Sequence, residues 1–312
     1  MHACRVDADV ATGAAGAGGP AHPADPGLSS EPTAPRPRTP EHALPGAPAA
    51  SDWLALREKA DAEARAIDLV EDLRAGHPAP GRILDLGAGT GSMARWLAPR
   101  MPGPQHWVLT DRDPALLAEA HDRLPTAARD GSPVTGEVRR VDITTLRAED
   151  LAGHDLVTAS ALLDVLTAEE VDGLAAACVG AGCAALLTLT VVGQVRIEPA
   201  EPRDLPVAAA FDAHQQRVVG GRRLLGPDAA TAAEDAFARH GAHVRSRSSP
   251  WHLGLDDVDL VVAWLHGWVA AAAAQDPDLA RHADAYLARR LEAAEEGRLR
   301  VTVGHLDLLA MP

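Results

Sequence analysis

The sequence is poor in cysteine and lysine and has few aromatic residues. It contains three cysteines, one lysine (Lys59) and 3% aromatic residues. The cysteines, Cys4, Cys178 and Cys183, lack the spacing of zinc ligands, and any disulfide scheme leaves one of them unpaired. We therefore expect reduced thiols, with Cys178 and Cys183 packed in the core.

Basic residues are scarce relative to acidic ones. Lysine and arginine total 29 against 44 aspartates and glutamates, which gives a formal net charge of −15 at pH 7. Nucleic-acid binding usually relies on a basic surface that neutralises phosphates. The charge balance therefore predicts no nucleic-acid partner, although it is compatible with a local basic patch such as 217–223.

Long hydrophobic runs are also lacking. The most apolar window, 258–274, is interrupted by Asp259 and His266, whereas a transmembrane helix needs about 20 predominantly apolar residues. Residues 1–10 carry ionisable side chains where a signal peptide has an apolar core. We predict a cytoplasmic protein without membrane association.

Large apolar residues are nearly absent from the first fifty positions, which are rich in Pro, Ala, Gly and Ser. Such a composition cannot offset the entropy cost of ordering the chain. We predict a disordered extension over 1–50 and a single domain over 51–312.

The most informative stretch that is present is 82–92, where a strand meets a helix through three alternating glycines. The short apolar run 83–86 is typical of a buried parallel strand, and apolar residues recur at helical spacing after Gly91. Glycines at such a turn permit positive backbone dihedrals, and the free N–H groups of the helix attract a ligand. This stretch predicts a nucleoside site.

Two departures separate this loop from the dinucleotide fingerprint. That fingerprint would place its third glycine at position 92, which is Ser92. Asp85 would repel a pyrophosphate, but it can hold an ammonium group. The Asp-x-Gly-x-Gly-x-Gly pattern resembles the first motif of class I S-adenosylmethionine-dependent methyltransferases. A glycine-rich turn in another doubly wound α/β domain is the alternative. The resemblance implies that the methionine end of the cofactor is cradled by Asp85, Gly87, Ala88, Gly89 and Gly91.

An acidic residue ends the next predicted strand. Asp111 follows 106–110, about twenty residues beyond the glycine loop, where a carboxylate accepts hydrogen bonds from ribose hydroxyls. Asp113 precedes Pro114 and is predicted to cap the following helix.

The resemblance extends to the third and fourth strands. It implies that Asp142 binds the adenine amino group while Ile143 packs on the ring; an ordinary strand-end aspartate is the alternative. The carboxyl edge of the fourth strand, from Ala159 and Ser160 to Asp164, would face the reacting sulfonium, because ligands bind outside such edges. The predicted cofactor-binding residues are Arg57, Asp85, Gly87, Ala88, Gly89, Gly91, Asp111, Arg112, Asp142, Ile143, Ala159 and Ser160.

Three charged residues stand four apart on a predicted helix over 51–75: Arg57, Asp61 and Arg65. They form either an exposed ion-pair ladder or part of a lid over the cofactor. In the second case Arg57 or Arg65 binds the methionine carboxylate, for which the fork of a guanidinium is suited.

The fold class follows from the alternation of strands and helices after residue 82. The resemblance implies a doubly wound, mostly parallel, seven-stranded α/β sheet of order 3-2-1-4-5-7-6, with the last strand antiparallel and helices on both faces. We predict a lid helix over 51–75 and a cofactor-binding half over 82–192, with strand five over 184–192. Residues 193–312 would supply an irregular substrate-side insertion, helices and terminal strands.

The acceptor is predicted to be a small molecule. The residues 159–162, Ala-Ser-Ala-Leu, differ from the Asn/Asp-Pro-Pro-aromatic sequence of exocyclic-amino DNA methyltransferases, and a Pro-Cys nucleophile is absent. A neutral hydroxyl or protonated amine acceptor needs a base. The predicted candidates are His214, His252 and Asp164, with His305 as a further possibility. No metal-ligand cluster is predicted.

Together these features predict an enzyme that transfers a methyl group from S-adenosylmethionine to an O, N or C atom by in-line displacement. A monomer or homodimer is expected. Two alternatives are a cofactor- or nucleoside-binding protein without transferase activity, and another nucleotide-dependent enzyme of Rossmann type.

Overall fold

The computed structural model describes residues 51–76 and 80–312. The extension predicted over 1–50 lies outside the described residues, so the prediction of disorder there stays a prediction.

The central sheet is doubly wound, and its parallel part comes from the first half of the domain. Its strands in chain order are β1 (Arg82–Leu86), β2 (Gln105–Asp111), β3 (Val134–Arg140), β4 (Leu156–Ser160) and β5 (Ala184–Glu198). Further along the chain are β6 (Val218–Val219), β7 (Arg222–Arg223), β8 (His243–Ser248), β9 (Trp251–Leu253) and β10 (Arg300–Met311).

The strand order is β3-β2-β1-β4-β5-β10-β8, with β10 antiparallel to both of its neighbours. Because β8 and β10 are the predicted sixth and seventh strands, the predicted fold class and order are confirmed. The short strand β9 also pairs with β10 and makes an eighth strand, while β6 and β7 form a separate hairpin. Sequence patterns of two or three residues are too short to have predicted these additions.

Ten α-helices surround the sheet in the part of the chain that the structure describes: α1 (Ser51–Ala64), α2 (Ile67–Gly76), α3 (Ser92–Leu97), α4 (Pro114–Asp122), α5 (Ala168–Ala181), α6 (Asp204–Gln215), α7 (Ala229–Arg239), α8 (Val258–Gln275), α9 (Pro277–Ala280) and α10 (Ala283–Glu295). Asp113 caps α4 as predicted, because its carboxylate accepts a hydrogen bond from the Ala115 N–H at 2.8 Å. Cys178 and Cys183 are unpaired and buried, as expected.

The predicted helix over 51–75 is wrong in one respect, because the chain breaks it into α1 and α2. The Ala66 N–H leaves the helical pattern and donates to the carboxylate of Asp307 at 2.8 Å. Asp307 is buried on β10 and also accepts from the Leu189 N–H and the Ser249 hydroxyl, at 2.7 and 2.6 Å. One buried carboxylate therefore joins three separate segments, which no local pattern indicates.

The irregular segment predicted from residue 194 onward is also wrong. Strand β5 continues to Glu198, because β10 supplies antiparallel partners on both sides of an irregularity between Val303 and His305, as far as Arg300 opposite Glu198. Helix α6 follows, where only an insertion was expected. We call the extended ends of β5 and β10, together with β9, α6, α8 and α10, the cap. Its apolar core includes Ile197, Val207, Trp251, Trp264, Trp268, Tyr286 and Val301.

Helix α8 passes through this core. By length and composition alone, the span Leu255–Gln275 could cross a membrane, and half of its most apolar window is buried inside the protein. Core helices of folded domains share these properties. The expected absence of membrane association therefore stays a prediction.

Candidate functional site

A cavity of about 910 Å³ opens at the carboxyl edge of the parallel strands, between α1 and the cap. Ligand pockets in proteins span about 300–1,000 Å³, so this one can hold two small molecules side by side. The strand edge and glycine loop supply one wall, which we call the cofactor wall and which includes Asp85, Gly87, Ala88, Gly89, Asp111, Arg112, Asp142, Ile143, Ser160 and Asp164. The cap supplies the opposite wall, which includes Phe211, Asp212, Gln215, Trp251, Trp264, Trp268 and His305.

The glycine loop has the backbone conformation that its sequence predicts. Gly87, Gly89 and Gly91 have φ values of +62°, +54° and +83°, a region that side chains with a Cβ rarely adopt. A Cβ at Gly89 would lie 3.0 Å from the Leu54 side chain on α1, and one at Gly87 would lie 2.9 Å from Leu162. The loop therefore needs glycine both for its conformation and for the close approach of its neighbours.

Asp111 lies at the end of β2 and holds this loop. Its Oδ2 accepts a hydrogen bond from the Gly89 N–H at 2.9 Å, and its Oδ1 accepts one from the Asp113 N–H at 3.0 Å. Each oxygen keeps a second lone pair, and the residue lines the cavity. Asp111 can thus fix the loop and accept hydrogen bonds from a ligand.

Asp85 is buried at the base of the cavity. Its Oδ1 accepts a hydrogen bond from the Thr158 hydroxyl at 2.7 Å, whereas its Oδ2 has no partner among the residues described. Burial raises the pKa of Asp85 to about 7, against the opposing effects of Thr158 and the Arg65 charge. A ligand cation beside Oδ2 would favour the ionised carboxylate.

Arg65 is buried behind the cavity wall and orients two hydroxyls that line it. Its Nη2 donates to Ser92 Oγ at 3.2 Å and to Ser160 Oγ at 3.0 Å. Its guanidinium lies over the Trp96 ring, 5.5 Å from the centroid. Its Nε and Nη1 have no hydrogen-bond partner within 51–76 and 80–312. Burial lowers the pKa of Arg65.

Arg57 lies on the cavity wall and is paired with Asp61. Its Nε and Nη2 donate to the two carboxylate oxygens at 2.9 and 3.1 Å. The guanidinium packs over the Trp251 ring at 4.9 Å, and the Trp251 Nε1–H donates to Asp61 at 3.1 Å. The Arg57–Asp61 ion pair, which the sequence allowed as an alternative to a lid, is therefore present, but it is largely buried rather than exposed. Arg57 faces the cavity with its charge already partnered.

Helix α1 bridges the two walls. Glu58 forms ion pairs with Arg95 of α3 at 2.6 Å and with Arg123 at 3.0 Å. Lys59 reaches Asp257 beside α8 at 3.3 Å. The helix thus covers the glycine loop and contacts the cap, which is the position that a lid requires.

Asp142 and Ile143 line the far side of the cofactor wall with Arg112. Asp142 Oδ1 accepts hydrogen bonds from the Thr144 N–H at 3.1 Å and the Thr144 hydroxyl at 2.8 Å, and these bonds lower the pKa of Asp142. The residue also caps a short 3-10 turn, so the local role that the sequence left open is present. Ala159, another predicted contact, is buried in the core and is outside the cavity lining.

The structure brings only two of the four candidate bases to the cavity. Asp164 lines it, and burial raises the pKa of its carboxyl to about 6 although the Arg57 charge opposes this. His305 also lines it, with its ring 5.1 Å from Trp251, and burial lowers its pKa to about 4. Both groups are therefore largely unprotonated at pH 7.

The other two candidates are not brought to the cavity. His214 is buried in α6 outside the lining, and burial together with the Arg217 charge lowers its pKa. His252 is exposed on β9, because the neighbouring Trp251 and Leu253 point inward and strand alternation turns His252 outward. These positions give neither histidine access to a bound acceptor.

Sequence reasoning missed Asp212 and the tryptophans of α8 as cavity residues. Asp212 lies against Gly193, where a Cβ would meet its Oδ2 at 2.9 Å. Burial and the nearby Asp228 raise the pKa of Asp212 to about 6. The helical spacing of Trp264 and Trp268 indicated a shared face but not that this face borders a cavity. Gln215 fell in the segment already assigned to the substrate side.

Comparison with known proteins identifies a methyltransferase domain. The profile of a family described as "Methyltransferase domain" matches residues 83–181. A bifunctional protein of biotin biosynthesis from Bordetella avium is 46% identical over 52 residues, which cover 17% of this chain and 11% of that protein. The chain thus spans about a tenth of the length of this curated relative.

Two of the solved structures that are similar to this protein cover most of its chain. A cyclopropane synthase from Mycobacterium tuberculosis is 14% identical, with 88% of this chain and 100% of that chain covered and a TM-score of 0.44. A magnesium protoporphyrin IX methyltransferase from Synechocystis PCC 6803, with bound S-adenosylhomocysteine, is 12% identical, with 84% and 86% covered and a TM-score of 0.43. The match to the family profile identifies residues 83–181 as a methyltransferase domain and confirms the resemblance predicted from the glycine loop.

Proposed function

We propose that this protein, a class I methyltransferase by its domain and strand order, is an enzyme that methylates a small molecule with S-adenosylmethionine. The observation that carries the proposal is the buried, unpartnered Oδ2 of Asp85 beside a glycine loop, within a cavity that extends well beyond that loop. A carboxylate there suits an ammonium group and disfavours a pyrophosphate.

The residues present fit the cofactor along its length. Asp85 would accept hydrogen bonds from its ammonium group, and the open glycine loop would admit its methionine chain. Asp111 would accept from the ribose hydroxyls, while Asp142 and Ile143 would contact the adenine. Ser92 and Ser160, which are oriented by Arg65, are better placed than the already paired Arg57 to meet the carboxylate.

When bound, the cofactor supplies a methyl group on a positively charged sulfur. The protein's own task is to align the acceptor with that methyl group and to exclude water. Trp53 and Leu54 of α1 line the loop side of the cavity, and the cap lines the other side. An acceptor held between these walls could be aligned for an in-line displacement.

Asp164 is placed to take a proton from the acceptor. It lies beyond the carboxyl end of β4, lines the cavity, and has a pKa near 6, close to working pH. His305, neutral at pH 7, is the second group that can accept a proton. An O, N or C acceptor is compatible with this arrangement.

The proposal also covers the localisation, oligomeric state and partners of the enzyme. We infer a cytoplasmic monomer or homodimer that acts without nucleic acid or membrane, and the net charge of −15 supports the first of these exclusions. The division into an extension over 1–50 and a catalytic domain over 51–312 is likewise proposed.

Calorimetric titration of the full chain with S-adenosylhomocysteine and with NADH tests the proposal. We expect binding of the first and none of the second. Failure to bind S-adenosylhomocysteine, or tight binding of NADH, would overturn it. If S-adenosylhomocysteine binds but no compound in a screen of small-molecule acceptors is methylated, the protein is a cofactor-binding protein and the enzymatic part of the proposal is wrong.

A further inference from the structure

We infer that the acceptor is a flat, largely apolar molecule that carries a protonated amine, with its ring between the aromatic side chains of the cap and its ammonium group against Asp212. The inference rests on the proposed function, since it names the substrate class of the same cavity. It concerns recognition of the acceptor; the reacting atom lies nearer to Asp164.

Asp212 lies on the side of the cavity away from the glycine loop. Thr188 of β5 is level with Ser160, the last residue of β4. Gly193, which contacts Asp212, is five residues further along β5, at most about 17 Å beyond the sheet edge. His305, opposite Val191 in the sheet, lies between these two levels. Asp212 is therefore placed for the acceptor rather than for the cofactor.

The cavity lining contains carboxylates that have no cationic partner. Two of the lining arginines are already paired, Arg57 with Asp61 at 2.9 Å and Arg222 with Glu170 at 2.5 Å. Asp164 and Asp212 form no ion pair with any residue that the structure describes. A partly buried carboxylate without an ionic partner favours a ligand that brings a positive charge.

Asp212 is also largely ionised at neutral pH. Burial and the charge of Asp228 raise its pKa only to about 6. A ligand ammonium would lower that pKa further, because an opposite charge stabilises the ionised carboxylate. The site can therefore form a charge-assisted hydrogen bond at pH 7 without first losing a proton.

The walls around Asp212 are aromatic. Phe211 precedes it on α6, and Trp251, Trp264 and Trp268 line the same cavity. The rings of Trp264 and Trp268 stack on each other at 4.9 Å with an interplanar angle of 18° and together form part of this wall. Aromatic faces attract both flat rings and organic cations. This combination of aromatic walls and a carboxylate selects a ring with a basic nitrogen.

Three buried polar atoms in the cap's part of this lining have no partner within the described residues. They are Oε1 of Gln215, Nε1 of Trp268 and Nδ1 of His305. Buried polar groups are almost always hydrogen-bonded in folded proteins. A ligand that offers one donor and one acceptor besides its ammonium group would satisfy Gln215 and Trp268.

Three probes that share one ring and differ in charge test this inference. They are tryptamine, the neutral 3-ethylindole and the anionic indole-3-propionate, each titrated calorimetrically into the full chain saturated with S-adenosylhomocysteine at pH 7.5. We expect tryptamine to bind at least tenfold more tightly than either analogue. Equal binding of the three, or preference for the anion, would overturn the inference.

The variant Asp212→Asn removes the charge at nearly constant shape and should abolish the preference for tryptamine. Asp235→Asn, on α7 and outside the cavity lining, is the matched control and should keep the preference. Retention of S-adenosylhomocysteine binding by Asp212→Asn shows that the variant is folded. An amine preference that survives in Asp212→Asn contradicts the assignment of Asp212.

The same titrations separate the two proposals. If S-adenosylhomocysteine binds and the probes show no charge preference, only the inference about the acceptor is wrong. If S-adenosylhomocysteine does not bind, the proposed function fails and the inference fails with it.

Discussion

The two walls of the cavity are built by different means. Much of the cofactor wall comes from contiguous sequence: Asp85, Gly87, Ala88 and Gly89 lie within five positions. Asp111, from the next strand, accepts a hydrogen bond from the Gly89 N–H. The cap wall gathers residues from α6, β9, α8 and β10 that are far apart in the chain. Local backbone geometry fixes the first wall, whereas tertiary packing fixes the second. The cofactor wall therefore carries a sequence motif, and the cap wall carries none.

The largest effect on stability is expected at Asp307, whose carboxylate links the α1–α2 break to β5 and to the residues before β9. Asp307→Ala would leave the Ala66 and Leu189 N–H groups and the Ser249 hydroxyl without their buried partner. Each unsatisfied donor costs about 1–3 kcal/mol, so we expect the free energy of unfolding to fall by about 3–5 kcal/mol. Urea denaturation measures this, with the exposed Asp278→Ala as control. A loss below 1 kcal/mol would mean that the hydrogen bonds of Asp307 to these three segments do not stabilise the fold.

Gly89→Val tests whether a change in the glycine loop alone removes cofactor binding. Valine at φ +54° is strained, and its Cβ would lie 3.0 Å from Leu54. We expect affinity for S-adenosylhomocysteine to fall about 100-fold, or about 2.7 kcal/mol. Gly173→Ala in helix α5 is the control, because the added Cβ would have no other atom within 4 Å. This variant should bind S-adenosylhomocysteine normally. Normal binding by Gly89→Val would show that the loop does not approach the ligand.

Much of the cofactor wall was predictable from sequence, and for a physical reason. The turn after β1 needs positive φ at Gly87, Gly89 and Gly91, so the spacing of the glycines in the sequence indicates the backbone conformation directly. Asp111 and the Asp113 cap follow from strand-end and helix-start rules in the same way. Each of these features depends on a few neighbouring residues.

The cap was poorly predicted because its residues acquire their environment only in the fold. The extension of β5 to Glu198 depends on pairing with β10, a hundred positions later. The break between α1 and α2 depends on Asp307, and the raised pKa of Asp212 depends on its burial against Gly193. His214 and His252 looked equally suitable in sequence, yet the packing of α6 and the alternation of β9 turn them away from the cavity.

Asp164 lies in the cofactor wall beyond the carboxyl end of β4, and its raised pKa makes the stability of the protein depend on pH. Its folded-state pKa of about 6 is raised above the ordinary value of 3.8. The folded protein therefore binds more protons than the unfolded chain between about pH 4 and 6, and this group lowers stability as the pH rises through that window. We expect Asp164→Asn to gain about 2 kcal/mol over the wild type between pH 4.5 and 7, measured by urea denaturation.

The control for this prediction is Asp278→Asn, an exposed change that should show no such pH-dependent gain. A constant difference between Asp164→Asn and the wild type across the window would mean that Asp164 is solvated. In that case it would be no better placed as a base than a surface carboxylate.

Asp111→Ala is expected to have the smallest effect and to be specific to the cofactor wall. It removes the acceptor for the Gly89 and Asp113 N–H groups as well as the proposed ribose contact. We expect S-adenosylhomocysteine to bind about tenfold more weakly, a loss of about 1.4 kcal/mol, while calorimetry shows an unchanged preference of the cap for tryptamine over indole-3-propionate. The exposed Asp122→Ala at the end of α4 is the matched control. If Asp111→Ala also removes the amine preference, the two walls are coupled in binding. The difference between a locally built cofactor wall and a cap wall built by tertiary packing would then not extend to ligand binding.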